Sequence, residues 1–203
     1  MQGIITQRQT KNKNGTDCDE LEKDYIVFFE ELGHSMTPVS NFQKIDFNGD
    51  FLVLTGGGNI YAEQPERDKI EKHLFYDALK KGKPIIAICR GMQYINLMLG
   101  GQLSKNAELK TERPNRLDHK VIIKDREVMV NNFHDDVIFA DQLSEKLKIL
   151  ALDKENDTVE AFYSDEMKIL GVQWHPERAF NDDKDKEFSK NLIDNYLKNG
   201  EIK

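Results

Sequence analysis

Two runs of uninterrupted apolar residues constrain this chain more than any other feature of it. Phe51-Leu52-Val53-Leu54 stops at Thr55-Gly56-Gly57-Gly58, and Pro84-Ile85-Ile86-Ala87-Ile88 stops at Cys89-Arg90-Gly91. A strand that is apolar at every position meets water on neither face, so each run belongs inside a sheet covered on both sides. Helical stripes lie around them. Leu21, Tyr25, Phe28, Phe29 and Leu32 recur at helical spacing up to Gly33, and Ile70, Leu74, Phe75, Ala78 and Leu79 do the same up to Gly82 and Pro84. A further helix is predicted from the Cys89 turn through Leu99, and a closing one carries Phe188, Leu192 and Tyr196. This alternation predicts an α/β fold of three layers, a mostly parallel central sheet flanked by helices. After residue 118 the segments 121–123, 126–130, 147–152, 158–163 and 168–174 predict additional short antiparallel strands. Ile4-Ile5 reads as a short buried strand, and the polar segment 10–19 as a surface loop.

The 203 residues suit a single domain over 1–203. With 38% hydrophobic and 32% charged residues, the chain is neither disordered nor membrane-embedded, since its apolar runs are strand-sized. The opening residues lack a basic stretch followed by a long apolar one, so no secretory leader is expected. Two cysteines, Cys18 and Cys89, imply no disulfide framework, and a cytoplasmic location is expected. A net charge of −7 argues against nucleic acid or an anionic membrane as partner. Arg8, Arg90, Arg113 and Arg116 remain candidates for a local basic cluster. The Asp/Lys run at 181–186 reads as the solvated start of the closing helix and not as a metal site, because a dicarboxylate centre needs further ligands. Neither metal nor other cofactor is expected.

Two fragments carry chemistry. At Ile88-Cys89-Arg90-Gly91-Met92-Gln93 a buried strand breaks sharply and a helix begins at once. Such an elbow exposes the cysteine at the sheet edge and sets a helix N-terminus beneath it, whose amides favour both thiolate and oxyanion. A lone cysteine here would more often be plain core. The second fragment is Gly171-Val172-Gln173-Trp174-His175-Pro176-Glu177. In extended backbone, residues two apart share a face, so His175 and Glu177 can point into one site, the carboxylate orienting the imidazole that takes the thiol proton.

Together, Cys89, Gly91 and Gln93, with the His175-Pro176-Glu177 end and the upstream glycine turn, resemble the class I glutamine amidotransferase family. The Cys-Arg-Gly form resembles its stand-alone γ-glutamyl hydrolase branch (peptidase C26-type), as do Gly3-Ile4-Ile5-Thr6-Gln7-Arg8 and Val130-Asn131-Asn132-Phe133-His134. The resemblance implies a Cys89–His175–Glu177 triad and a thioester intermediate. It also implies an oxyanion hole from the backbone amides of Gly57 and Arg90, and substrate contacts by Gln93, Asn131, Phe133 and His134. It further implies L-glutamate release from a small-molecule γ-glutamyl amide. The nearest pattern within the branch is that of hydrolases that turn γ-glutamyl-CDP-amidate into CDP-amidate for capsule phosphoramidate. The alternatives are a glutaminase subunit delivering ammonia to a synthetase partner and a γ-glutamyl-γ-aminobutyrate hydrolase. The branch usually continues with a second His and a Gln, whereas His134 precedes Asp135-Asp136; the segment reads either as a site for an ammonium group or, in preference, as a solvated turn.

Overall fold

The computed structural model describes residues 1–111, 116–200 and 202. The chain opens with strand β1 (Gln2–Thr6), a hairpin of β2 (Arg8–Lys11) and β3 (Asp17–Glu20), helix α1 (Lys23–Glu31) and strand β4 (Ser35–Val39). The two apolar runs follow as β5 (Phe51–Leu54) and β6 (Ile85–Ile88), separated by α2 (Pro65–Lys80), and α3 (Arg90–Met98) leaves β6 directly. The second half contributes β7 (Ser104–Lys105), β8 (His119–Ile123), β9 (Arg126–Val130) and β10 (Asp136–Val137). It continues with β11 (Lys148–Asp153), β12 (Thr158–Ser164), β13 (Ile169–Val172) and α4 (Asp183–Asn199).

Nine of these strands form one sheet in the order β4-β1-β5-β6-β13-β12-β11-β8-β9. The pairs from β4 to β13 are parallel and those from β13 to β9 antiparallel, as the change of texture along the sequence predicted. The pleat sorts the core into two layers. Ile5, Phe51, Val53, Ile86 and Ile88 face α1 and α4, packing on Phe28, Phe29, Leu192 and Ile193. Ile4, Leu52, Leu54, Ile85 and Ala87 face α2 and α3, packing on Leu74, Phe75, Met92 and Ile95. Successive residues serving opposite layers is why these strands are apolar throughout. No helix among the described residues is long and apolar enough to cross a membrane.

Three elements depart from the sequence reading. Segment 10–19 does not form a plain loop: it closes the β2–β3 hairpin, in which Arg8 faces Glu20 and Thr10 faces Cys18. The hairpin is held by turn chemistry, Asn12 Oδ1 accepting from the amides of Asn14 (2.9 Å) and Thr16 (3.1 Å), which leaves no hydrophobic period to read. Strand β4 was invisible because only Val39 of it is buried. Its Pro38 fits the sheet edge, where no ladder donor is required. Asp136 belongs to a two-stranded ribbon with β7, where Lys105 ion-pairs with it, instead of to a solvated turn.

The layer between β5 and α3 depends on Gly91. A Cβ built there would overlap the carbonyl oxygen of Leu54 and lie 2.7 Å from its carbonyl carbon. Backbone cannot yield as a side chain can, so Gly91→Ala should destabilise by about 1–3 kcal/mol, the usual cost of overpacking. Urea unfolding with an unchanged m-value would measure it. A loss under about 0.5 kcal/mol, the level of an ordinary surface change, would show that α3 is free to shift.

Candidate active site

The parallel strands β5, β6 and β13 lie side by side, with Leu54 opposite Ala87 and Val172 opposite Ile88. Their carboxyl ends therefore deliver the glycine turn, Cys89 and the His175 segment to one edge, where ligands bind on sheets of this type. Because β6 passes into α3 without a spacer, Cys89 takes φ 52° and ψ −109°, a region that side chains rarely adopt. Its backbone is held there: the amide donates to Val172 O (2.8 Å) and the carbonyl accepts from Gln93 N (3.0 Å).

His175 is almost fully enclosed. Its Nδ1 donates to Glu177 Oε1 at 2.6 Å, and the two side chains are 2% and 0% exposed. Asn131 fixes its backbone from both sides, Oδ1 accepting from His175 N (2.9 Å) and Nδ2 donating to His175 O (2.8 Å). The ring lies flush on the glycine turn, for a Cβ on Gly56 would sit 2.6 Å from His175 Cε1 and 3.2 Å from Nε2. Burial pulls the imidazole pKa down, but the negative charge of Glu177 and Cys89 and their hydrogen bonds outweigh it and push it up to about 9. At neutral pH His175 accordingly carries a proton.

The glycine turn is positioned from behind. Gly56 N donates to the buried Tyr25 hydroxyl (2.9 Å), while Gly57 adopts φ 85°. Arg67, wholly buried, binds the carbonyls of this turn. Its Nη1 donates to Gly57 O (2.7 Å) and its Nη2 to Thr55 O (2.7 Å) and Gly56 O (3.2 Å). Its Nε donates to Glu71 Oε1 (2.8 Å), which also accepts from Thr6 Oγ1 (2.7 Å), while Glu71 Oε2 and Asp68 receive the guanidinium of Arg90. Burial opposes the charge of Glu71, yet Arg67 and Arg90 hold its carboxyl below the ordinary range. Burial also lowers Arg67 to about 10, so it stays cationic at neutral pH.

The residues singled out in the sequence divide accordingly. Cys89, His175, Glu177 and Gly57 come together at one edge, and Phe133 joins them, its ring edge-on to His175 at 5.7 Å. Gln93 lines the interior, its Nε2 donating to Asp136 O (3.0 Å) and Gln173 Oε1 (3.3 Å). Asn131, expected against substrate, is committed to the His175 backbone. His134, expected likewise, is buried and turns Nδ1 to Asp136 O (3.0 Å), with Nε2 3.8 Å from Glu160. Among the arginines, Arg90 is corrected outright: its side chain is 1% exposed and faces Asp68 and Glu71, so it cannot reach an anion at the mouth. Arg116 is an exposed turn residue whose amide donates to Asn132 O (2.6 Å). Arg113 lies outside the described residues. Arg8 does reach the site, over Gly57. Sequence reasoning missed Arg67 and Glu71, although their signal exists: with Leu74 and Ala78 they fall in the apolar stripe of α2, where a charge must be paired. Among the described residues, no group of three or more His, Cys, Asp or Glu could hold a metal ion.

The sequence pattern of the peptidase C26 family matches residues 48–177, and the chain belongs to that family, a class of hydrolases acting on amide bonds. Its relatives bear this out at greater length. It is 30% identical to the gamma-glutamyl-CDP-amidate hydrolase of Campylobacter jejuni subsp. jejuni serotype O:2, over 86% of this chain and 88% of that one. It is 29% identical to the glutamine amidotransferase-like protein YvdE of Lactococcus lactis subsp. lactis, over 89% and 88%. The fold matches that of a glutamine amidotransferase from Thermotoga maritima with a TM-score of 0.69, at 16% identity, over 97% of this chain and 96% of that one.

Glu71→Gln should leave two buried guanidiniums sharing too little negative charge. Stability should fall by about 3–5 kcal/mol, the usual cost of breaking a buried ion pair from one side. Urea or thermal unfolding reads this directly, and a loss below about 1 kcal/mol would mean that Asp68 and Thr6 suffice.

Proposed function

We propose that this chain is a cysteine-dependent γ-glutamyl hydrolase with Cys89 as nucleophile, His175 as proton carrier and Glu177 as the group that orients it. One observation carries the reading: a strained, helix-backed cysteine shares a closed sheet edge with a histidine whose far nitrogen is bound by a buried carboxylate. Cys89 Sγ attacks the γ-carbonyl carbon, and the oxyanion is met by the amides of Gly57 and Arg90. Gly56 is not available for this, since its N–H is already given to Tyr25. His175 gives its proton to the departing nitrogen, leaving a γ-glutamyl thioester. Water, losing a proton to His175, then attacks the thioester carbon, which releases glutamate, frees the Cys89 sulfur and leaves His175 protonated as at the start.

The best-supported substrate is γ-glutamyl-CDP-amidate, giving L-glutamate and CDP-amidate. The support is the relative of that name, which aligns over 86% of this chain. An autonomous hydrolase is preferred to a glutaminase subunit serving a synthetase because the Cys89-Arg90-Gly91 form resembles that of the stand-alone branch. The deciding experiment offers the purified protein γ-glutamyl-CDP-amidate, γ-glutamyl-γ-aminobutyrate and glutamine, with glutamate release as readout. A preference for either of the last two would reject the substrate and leave the triad standing.

Two further outcomes follow from the chemistry. Cys89→Ala should fold normally and lose essentially all turnover, because the covalent route has no substitute. Activity within about tenfold of the parent, a difference of only about 1.4 kcal/mol in barrier, would exclude Cys89 as nucleophile. The pH profile tests the base. With the His175 pKa raised to about 9, the proton destined for the leaving group is present at neutral pH and lost as pH rises through that value. kcat/KM should therefore fall on an alkaline limb near 9. Glu177→Gln removes the largest raising influence, so the limb should move toward neutrality as the rate drops by up to about 10⁴-fold. A limb that stays in place in the variant would assign it to another group.

A further inference from the structure

Two arginines from opposite ends of the chain meet above this site. Arg8, just after β1, donates from Nη2 to Glu22 Oε1 (2.6 Å) and Glu20 Oε1 (3.1 Å). Arg178, directly after Glu177, donates from Nη2 to both oxygens of the same Glu22 (3.0 and 3.1 Å). Each guanidinium borders a different part of the reaction centre. Nη1 and Nε of Arg8 lie 3.1 and 3.3 Å from where a Cβ on Gly57 would stand. The Arg178 guanidinium lies 4.6 Å over the ring of Phe133, which in turn stands edge-on to His175.

A purely structural arginine in this protein looks different. Arg67 is 0% exposed, and all three of its nitrogens donate to acceptors. Arg8 and Arg178 are 27% and 24% exposed, and among the described residues the side chain of each hydrogen-bonds only through Nη2. Nε and Nη1 of Arg8 and Nη1 of Arg178 have no acceptor among the described residues, and Arg178 Nε is 3.9 Å from Glu177. The carboxylate between them is itself 27% exposed and sits at the N-cap of α1 without capping it. Thus two recessed, solvent-reached forks converge on one exchangeable anion beside the oxyanion turn.

We propose that Arg8 and Arg178 form the recognition site for a phosphate on the leaving-group side of the substrate, with Glu22 as the resting counter-ion that the phosphate displaces. A guanidinium matches two phosphate oxygens as it matches a carboxylate, and a more highly charged phosphate gains more from two such forks than Glu22 does. The site gives an acidic chain, of net charge −7, a local means of attracting a nucleotide amidate. It rests on the γ-glutamyl nucleotide amidate reading above. The glutamyl α-carboxylate is the other anion present, and the choice of leaving group separates the two.

The test compares the parent protein with Arg8→Gln/Arg178→Gln and with Glu22→Gln, each verified as folded by thermal unfolding. The substrates are γ-glutamyl-CDP-amidate and γ-glutamyl-p-nitroanilide, which carries the same glutamyl α-carboxylate but an uncharged leaving group, and CDP is the competitive inhibitor of anilide hydrolysis. The double variant should lower the ratio of kcat/KM for the nucleotide amidate to that for the anilide by about tenfold or more, and weaken CDP inhibition to match. Glu22→Gln, with the competing carboxylate gone, should strengthen CDP inhibition, and this arm does not depend on the double variant folding. An unchanged ratio with both substrates impaired would assign the pair to the glutamyl carboxylate and overturn the proposal. CDP inhibition insensitive to all three residues would overturn it as well. If the parent ignores the nucleotide amidate yet is inhibited by CDP through these arginines, the substrate reading fails and the phosphate site stands.

Discussion

One buried carboxylate holds the candidate site together. Glu71 accepts from Thr6 at the end of β1, from Arg67, which grips the carbonyls of the glycine turn, and from Arg90, the residue after Cys89. The ends of β1, β5 and β6 are thereby referred to one point on α2. Hydrogen bonds between neighbouring strands would align them along the sheet only. The turn carbonyls at 55–57 face away from the ladder, and Arg67 is what satisfies them in the interior. An ion cluster of this kind adds little net stability over an apolar core of the same shape, but it is costly to disrupt from one side. Its value here is geometric. The positive φ of Cys89 and of Gly57 can persist only where the surroundings leave no alternative.

The same division of labour recurs on the other side of the site. His175 is reached from outside the sheet by Asn131, whose amide brackets its backbone, and from within by Glu177, which claims Nδ1. Backbone and tautomer are fixed by separate residues, so the ring can give and take a proton without moving. Phe133 closes the space between this histidine and Arg178. The groups of the proposed triad and glycine turn thus rest on a second set of groups packed behind them, as preorganised sites require.

Much of this was legible along the chain. The fully apolar runs at Phe51–Leu54 and Ile85–Ile88 placed two central strands, because water on neither face leaves no other reading. The breaks that follow them marked Cys89 and the glycine turn, and the spacing of His175 and Glu177 set them on one face. Elements held by turn chemistry or lying at an edge, the β2–β3 hairpin and β4, carried no periodic signal. Arg67 and Glu71 did carry one, as charges inside an apolar stripe, but a stripe shows only that partners exist and not which they are.

Local pattern is a matter of residues within a turn or a strand of one another, and to that extent the sequence by itself determined this protein: its buried strands, its elbow, and the pairing of a histidine with a carboxylate. Partnership across the chain was decided by tertiary structure alone. Arg8, Glu22 and Arg178 are surface-type residues in three separate segments; Arg8 was one of four candidate arginines, but nothing local pairs it with Glu22 or Arg178. Arg90 stands next to Cys89, the proposed nucleophile, in sequence, yet the helix turns its side chain inward to Asp68 and Glu71. Asn131 reads as a binding residue until β13 brings His175 against it. Side-chain direction depends on which elements the sheet order makes neighbours, and that order is a property of the whole fold.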